Sequence, residues 1–384
     1  MSFKQILKRP ALRFYLALSR RWPRGSRPPP NPREIHKVLL LQFGGIGDGL
    51  RMIPLIRILG EAFPAAELAT LTNQSPGIFD LAPEGFPACR HLTFDFGHDF
   101  LTKWRRLREL RRERFDLIVL PIVGDGFVEI AILARLIGAR YLAGFDLDGG
   151  GLCFTHSIPF RRNESLLTQY VRLLTAIGAA GFAENIPLRR HQEATAAVAA
   201  RLETLGLAAT PVVVVQPWVG SHEEFKTWPA ASFRDLIARL IAELGVAVVM
   251  VGSKAERAMA RKHFEGLTSP RFCDLTGELT FIETTALLAC SRCLVCNDSC
   301  LIMIADTLRV PSVAIFGATA PEQTLAAATL CRTVRTDEQL PCQPCYLHQT
   351  LFPYQCPHDF RCLKTVTVEQ VLEAVRSVLA GTTR

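Results

Sequence analysis

The chain has 384 residues, of which 49% are hydrophobic and 21% charged, and it carries a formal net charge of +8. This composition excludes a disordered or fibrous chain, and the length suits two or three domains. No run of about 18 uninterrupted apolar residues is present, which argues against a membrane-spanning helix.

The charge is concentrated at the start. Residues 1–36 hold nine Lys or Arg and one Glu, so the remaining 348 residues are neutral overall. A neutral body lacks the basic character of many nucleic-acid binders, and no nucleic-acid partner is expected. In the arm, Phe3, Ile6, Leu7, Leu12, Phe14, Tyr15, Leu16, Leu18 and Trp22 interleave with the bases. Two readings stay open. The arm could lie as an amphipathic helix on an acidic membrane surface. Equally, it could be a short helix docked on the body, interrupted by Pro10 and followed by the Pro28–Pro30 linker. A secretory signal is not expected, because no clean apolar core and small-residue cleavage site follow the bases.

Beyond the arm, residues 38–43 read as a buried strand, followed by a glycine-rich loop, Gly44 to Gly49, and a helical pattern through Leu59. A strand is predicted near Glu67–Thr72, a basic helix over 101–115, a strand over 116–122 and a helix over 127–137. A short strand at 141–145 and helices at 163–179 and 192–205 follow. The pattern restarts at Pro211 with the strand VVVVQP, a helix over 229–244, a strand over 246–251 and a helix over 254–264. Then come a helix over 281–289, a strand over 293–296, a helix over 301–308, a strand over 312–316 and a terminal helix over 367–379. Two runs of alternating strand and helix predict two Rossmann-like α/β domains. The expected boundaries are an arm at 1–36, a first domain at 37–200, a second at 201–340, a cysteine segment at 341–364 and a final helix at 365–384. Such sheets bind ligands beyond their carboxyl strand ends, so a cleft between the domains is expected.

The glycine loop is not a dinucleotide fingerprint. Gly45 and Gly47 fit its first two glycines, but Leu50 stands at the third, and no acidic residue closes the second strand. No GK[ST] follows, so it is not a P-loop either. The loop does offer Asp48, where a helix begins. Asp48 is either a helix cap or a carboxylate available as a base.

The second domain repeats polar residues at successive strand ends. Gln216 to Ser221 follow one strand, and Lys226 precedes Trp228 and Pro229 at a helix start, where it could meet a phosphate. Glu256 could accept bonds from ribose hydroxyls. Asn297, Asp298, Ser299 and Cys300 open a helix after another strand, and Gly317 to Thr319 close a further one. Each alone reads as a cap or turn; their repetition signals a ligand. Asp146 and Asp148 form the chain's Asp-x-Asp pair near a glycine-rich turn and read as loop residues, so no catalytic metal is expected.

Of the 12 cysteines, Cys89, Cys153, Cys273, Cys290, Cys293, Cys296, Cys300 and Cys331 read as small hydrophobes in a reducing compartment. Cys293 and Cys296 flank a strand, and its alternation holds them apart. The last four, Cys342, Cys345, Cys356 and Cys362, are spaced C-x2-C-x10-C-x5-C in a segment with few aliphatic residues. Four thiolates could hold structural Zn or Fe tetrahedrally, with no open position for substrate; disulfides and unlinked thiols also remain open.

These stretches together resemble the bacterial ADP-heptose glycosyltransferases, the lipopolysaccharide heptosyltransferase-like glycosyltransferase family 9. The matching segments are VLLLQFGGIGDGLRMIPLIRILGEAFPAAEL, VVVVQPWVGSHEEFKTWPAASFRDLIARL, VGSKAE, CNDSCLIMIADTLRVPSVAIFGAT and the four-cysteine segment, spanning about Lys37 to Leu379. The resemblance implies a GT-B fold and an inverting transfer of heptose from ADP-heptose. It implies Gly47-Asp48 as the glycine–aspartate pair with Asp48 the base, Lys226 on phosphate and Glu256 on the nucleotide's sugar. Asp298, Ser299 and Cys300, with Ser221, fall near the donor. Cys300 stands where the family has Gly, Met303 where it has His, and Trp218 and Gln216 replace residues of a His-Pro-Gly stretch. The finger is similar to that of the autotransporter heptosyltransferases, which implies iron and makes a protein acceptor the alternative to a glycolipid. A catalytically degenerate nucleotide-sugar-binding or assembly protein is a further alternative. A cytoplasmic enzyme, peripheral on the inner membrane through its basic arm, is expected, and a homo-oligomer is left open.

Overall fold

The computed structural model of the chain describes residues 28–381, except 74–75, 125, 148–149, 162–163, 182, 184–187, 221–223, 326–328 and 346–355. The arm's helix, Asp148 and Ser221 therefore lie outside the described residues. Two compact units divide in the sequence between residues 184 and 185.

The first unit contains β1 (Lys37–Gln42), α1 (Ile46–Ala62), β2 (Glu67–Thr72), β3 (Cys89–Thr93), α2 (Phe100–Arg112), β4 (Leu117–Leu120), α3 (Phe127–Ile137), β5 (Tyr141–Asp146), β6 (His156–Pro159) and α4 (Leu166–Ala176). Its six strands are all parallel, in the order β3-β2-β1-β4-β5-β6. The continuous apolar run of β1 is what a central parallel strand needs, because helices cover both of its faces. Val38 to Leu41 are accordingly buried. Register is set by Leu39, which pairs with Ala69 on one side and Ile118 on the other.

The second unit contains α5 (Gln192–Thr204), β7 (Val212–Gln216), α6 (Ala230–Leu244), β8 (Ala247–Met250), α7 (Arg257–Phe264), β9 (Phe272–Asp274), α8 (Phe281–Ala289), β10 (Cys293–Asn297), α9 (Cys300–Leu308), β11 (Ser312–Ile315), α10 (Pro321–Thr324), β12 (Cys331–Val334), α11 (Arg361–Lys364) and α12 (Val368–Gly381). The sheet order is β12-β11-β10-β7-β8-β9, again all parallel. Counted from each unit's first strand, both orders are the doubly wound 3-2-1-4-5-6.

The boundary differs from the one expected at 200. Helix α5 belongs to the second unit because its apolar side, with Val198 and Leu202 buried, packs on α8. Nor does the final helix stand apart. α12 packs on α6 and on β11, and Val371, Leu372 and Val375 are buried in the same core as Trp228 and Phe233. No helix among the described residues is long and apolar enough to cross a membrane.

Candidate functional site

In each unit the neighbouring strands β1 and β4, or β7 and β10, lead to connections that run in opposite directions. A crevice opens there beyond the carboxyl strand ends, and doubly wound sheets bind ligands in it. The candidate residues cluster at these two points.

In the first unit, the chain leaves β1, turns through Gly44 and enters α1 with Gly45 as its N-cap. Asp48 lies in the first turn. Its Oδ2 accepts the Gly45 N–H at 3.1 Å, and its Oδ1 accepts from Arg51 Nη1 at 3.3 Å. A Cβ on Gly44 would collide with this carboxylate, so glycine is required to let the loop close over Asp48. Arg51 is 6% exposed within the otherwise apolar buried face of α1. A buried guanidinium needs an anionic partner, and Asp48 supplies it. The Asp48 side chain keeps a quarter of its surface accessible. It is therefore oriented from below and open above. Gly47 sits beside it in the same turn, half-buried.

In the second unit, Lys226 and Asp298 come together: Nζ and Oδ2 are 3.7 Å apart, with side chains 13% and 7% exposed. The sequence reading treats them as separate ligand contacts; the fold makes them an ion pair at the mouth of α9. Ser299 is the N-cap of α9, accepting the Leu301 N–H. Its hydroxyl also donates to Gln216 Oε1 at 2.7 Å, bridging the ends of β7 and β10. Cys300 opens the helix, half-buried. Asn297, fully buried, donates to the Pro217 carbonyl at 2.8 Å and accepts the Trp228 N–H at 2.9 Å. The Trp228 indole donates to the Val366 carbonyl. Lys226 is thus mounted on a loop anchored two residues later.

Glu256 is 6% exposed, with both carboxylate oxygens in use. Oε1 accepts the Gly220 N–H at 3.0 Å, and Oε2 accepts the Ser253 N–H at 2.6 Å. It ties the loop after β7 to the loop after β8. A sugar hydroxyl would have to use its remaining lone pairs. Trp218 is buried in the core against His263 and Phe264, at ring-centroid distances of 5.8 and 6.1 Å. It fills the core at the position where the resemblance implies glycine. Met303 is buried in α9.

Sequence reasoning missed Arg51 and the bonds that join Asn297, Gln216 and Ser299 to distant loops. Arg51 carried a signal, being an arginine in an apolar helical run three residues after Asp48. The bonds of Asn297 and the Gln216–Ser299 bridge carried none, because they join positions about 70–80 apart in the chain.

Residues 103–354, well over half of the chain, match the family of glycosyltransferase family 9 (heptosyltransferase). The chain belongs to this family. The enzyme is a glycosyltransferase. It is 36% identical over 307 residues to the lipooligosaccharide heptosyltransferase 2 of Haemophilus ducreyi, covering 75% of this chain and 85% of that one. Its fold is that of the E. coli ADP-heptose lps heptosyltransferase II structure, with a TM-score of 0.67, 18% identity, 91% of this chain and 100% of that one covered. The iron-containing dodecameric glycosyltransferase TibC of enterotoxigenic E. coli is also similar, with a TM-score of 0.55 and 17% identity over 91% of this chain and 77% of that one.

The family member's finger cysteines lie around the end of β11. Cys345 N–H donates to the Ala318 carbonyl at 2.9 Å, and Gln343 Nε2 to the Gly317 carbonyl at 2.7 Å. The Phe360 N–H points to Cys356 Sγ at 3.2 Å. Cys362 is buried, and its thiol is pushed up to about 11, first by desolvation and then by Cys345, Cys356 and Cys342 around it. By its chemistry a set of four thiols suits Zn or Fe. Among the described residues, no group of three or more His, Cys, Asp or Glu is already disposed to hold a metal ion. No disulfide links the cysteines among those residues. Cys293 and Cys296, both fully buried, have thiols raised mainly by desolvation, as for small core residues.

Proposed function

We propose that this glycosyltransferase moves heptose from ADP-heptose, with inversion, onto a hydroxyl of a lipopolysaccharide core or related surface glycan in the cytoplasm. The observation that carries the reading is Asp48: a carboxylate with a quarter of its surface accessible, aimed by Gly45 and Arg51, at the switch point of the first unit. The family and the ADP-heptose transferase fold support the donor class.

Asp48 takes the proton of the acceptor hydroxyl as that oxygen attacks the anomeric carbon. The nucleoside diphosphate leaves from the opposite face, which inverts the carbon. In the second unit, Lys226 exchanges Asp298 for the diphosphate, and the positive end of the α9 dipole adds to the stabilisation of the growing charge. Asp298 then faces sugar hydroxyls, while Ser299 and Gln216 keep the helix mouth in place. Cys342, Cys345, Cys356 and Cys362 would be the residues to hold a structural Zn or Fe ion, which would supply a cross-link and no catalytic chemistry.

The test is release of ADP by the full chain from ADP-heptose, with heptose-deficient lipopolysaccharide as acceptor. Asp48→Asn should lower kcat by about a hundredfold or more while leaving donor affinity nearly unchanged. Unchanged kcat removes Asp48 as the base. No turnover with any acceptor refutes the enzyme assignment, and turnover confined to protein hydroxyls replaces the glycan acceptor.

A further inference from the structure

We infer that the amino-terminal end of α2 is a docking tip for an anionic phospholipid bilayer. Phe100, Leu101 and Trp104 enter the interface, and Arg105, Arg108 and Arg112 rest on the headgroups.

Helix α2 is fastened to its unit by one side only, through buried Leu107 and Leu110. The opposite side is apolar at its start and cationic below. Phe100 is 74% exposed, Leu101 72% and Trp104 46%. At 3.6 residues per turn, 100, 101, 104, 105, 108 and 112 share one side of the helix. Single exposed apolar residues are ordinary, but three contiguous large ones on one turn mark an interaction surface. Phe100 and Trp104 are stacked at 6.5 Å, and the Arg108 guanidinium lies 5.3 Å from the Trp104 ring centre. The tip is therefore preassembled.

Charge selects the partner. The acids of this helix are consumed elsewhere: Glu109 by Arg106 at 2.8 Å, and Glu113, just past its end, by Arg90 and Lys37. Arg105 and Arg112 make no ion pair among the described residues. An aromatic tip above unneutralised arginines suits the interfacial zone of a negatively charged membrane.

Position supplies the purpose. In a parallel sheet every helix begins at the carboxyl edge, so the start of α2 lies on the same edge as Gly44–Asp48. The loop before α2 is packed there directly. Phe96 meets the Phe43 ring at 5.3 Å, one residue beyond β1, and its carbonyl accepts from Lys103 Nζ. A bilayer held by the tip would present a lipid-linked hydroxyl on the side of the base. The purpose rests on the proposed glycolipid acceptor; the binding does not, and it is measured without any sugar.

The experiment is co-sedimentation of the full chain with vesicles of phosphatidylcholine alone or with about one-third phosphatidylglycerol. Wild type should partition onto the anionic vesicles and lose affinity in high salt. The variant Phe100→Ser, Leu101→Ser, Trp104→Ser should lose at least about tenfold in partitioning at any salt. Arg105→Ala, Arg108→Ala, Arg112→Ala should lose at least about tenfold at low salt, and much less in high salt. A control, Leu205→Ser with Met259→Ser, removes exposed apolar side chains of the second unit and should bind as wild type. All four proteins should melt alike, since the changed residues are at the surface. Failure of wild type to bind, α2 variants that bind as wild type, or an equal loss in the control each overturns the proposal.

Discussion

Arg51 and Glu256 are buried charges whose partners are fully described, so both make sharp tests. Arg51 aims the Asp48 carboxylate at 3.3 Å, with nothing else acidic on its helix turn. Arg51→Met should lower kcat by about tenfold or more, with donor KM unchanged, because a positioning contact is lost while the donor residues stay intact. Equal falls in stability and rate would make Arg51 merely structural. Glu256 accepts two backbone N–H groups with its two oxygens. A glutamine keeps one acceptor and turns an NH2 donor toward the other N–H. Glu256→Gln should therefore destabilise the second unit by about 1–3 kcal/mol in denaturant melts without any nucleotide. Unchanged stability would show that the glutamate serves only a ligand. At this scale the sequence identified residue types and their places at strand ends. It did not reveal that Lys226 and Asp298 pair, nor that Trp218 turns into the core, because both depend on loops meeting across the sheet.

Among the elements, the central strands were legible and the outermost were not. β3, β6, β9 and β12 are the four edge strands of the two sheets, and none is predicted from pattern. Central strands such as β1 and β7 carry continuous apolar runs because both faces are covered. The edge strands are short and largely half-exposed, as in Cys89–Thr93 and His156–Pro159, so no hydrophobic period marks them. Polar groups hold β3 in place instead. Arg90 on β3 binds Glu113 at 2.7 Å and Glu67 at 3.2 Å, while Lys37 on β1 binds the same two acids. The Glu113 carboxyl is held below its ordinary range, chiefly by the Arg90 hydrogen bond. Because the folded state lowers its pKa, its contribution is complete above the unfolded value of about 4.3 and is lost as pH falls further. Glu113→Gln should shift the denaturant midpoint down slightly at pH 7, as expected of a solvent-screened network. As pH falls through the lowered folded-state pKa, the variant and wild type should converge. A difference that persists in acid would mean that packing, not charge, is responsible.

Across the whole chain, one strand order is used twice, and the duplicated plan is what the restart at Pro211 announces in the sequence. The second unit differs in being closed by chain from far downstream. Val366 receives the Trp228 indole, Leu363 packs where a Cβ on Gly317 would stand, and α12 covers α6. The finger sits between these contacts and β11, joined there by Cys345 and Gln343. Its stretch from Pro341 to Arg361 offers few aliphatic side chains, so a cross-link among the four sulfurs would add to these two hydrogen bonds in fixing it. If a metal makes that cross-link, purified chain should carry about one Zn or Fe ion per molecule. Cys342→Ser with Cys345→Ser should abolish it, lower the melting temperature by more than about 5 °C, and hasten proteolytic cleavage between residues 341 and 362. The contacts just named lie within the second unit, so hydrogen exchange in β1 and β4 should be unaltered. Protection lost from β11 and α12 but kept in β1 would tie the finger to the stability of the second unit. A metal-free wild type as stable as any metal-loaded preparation would leave the sulfurs as simple thiols.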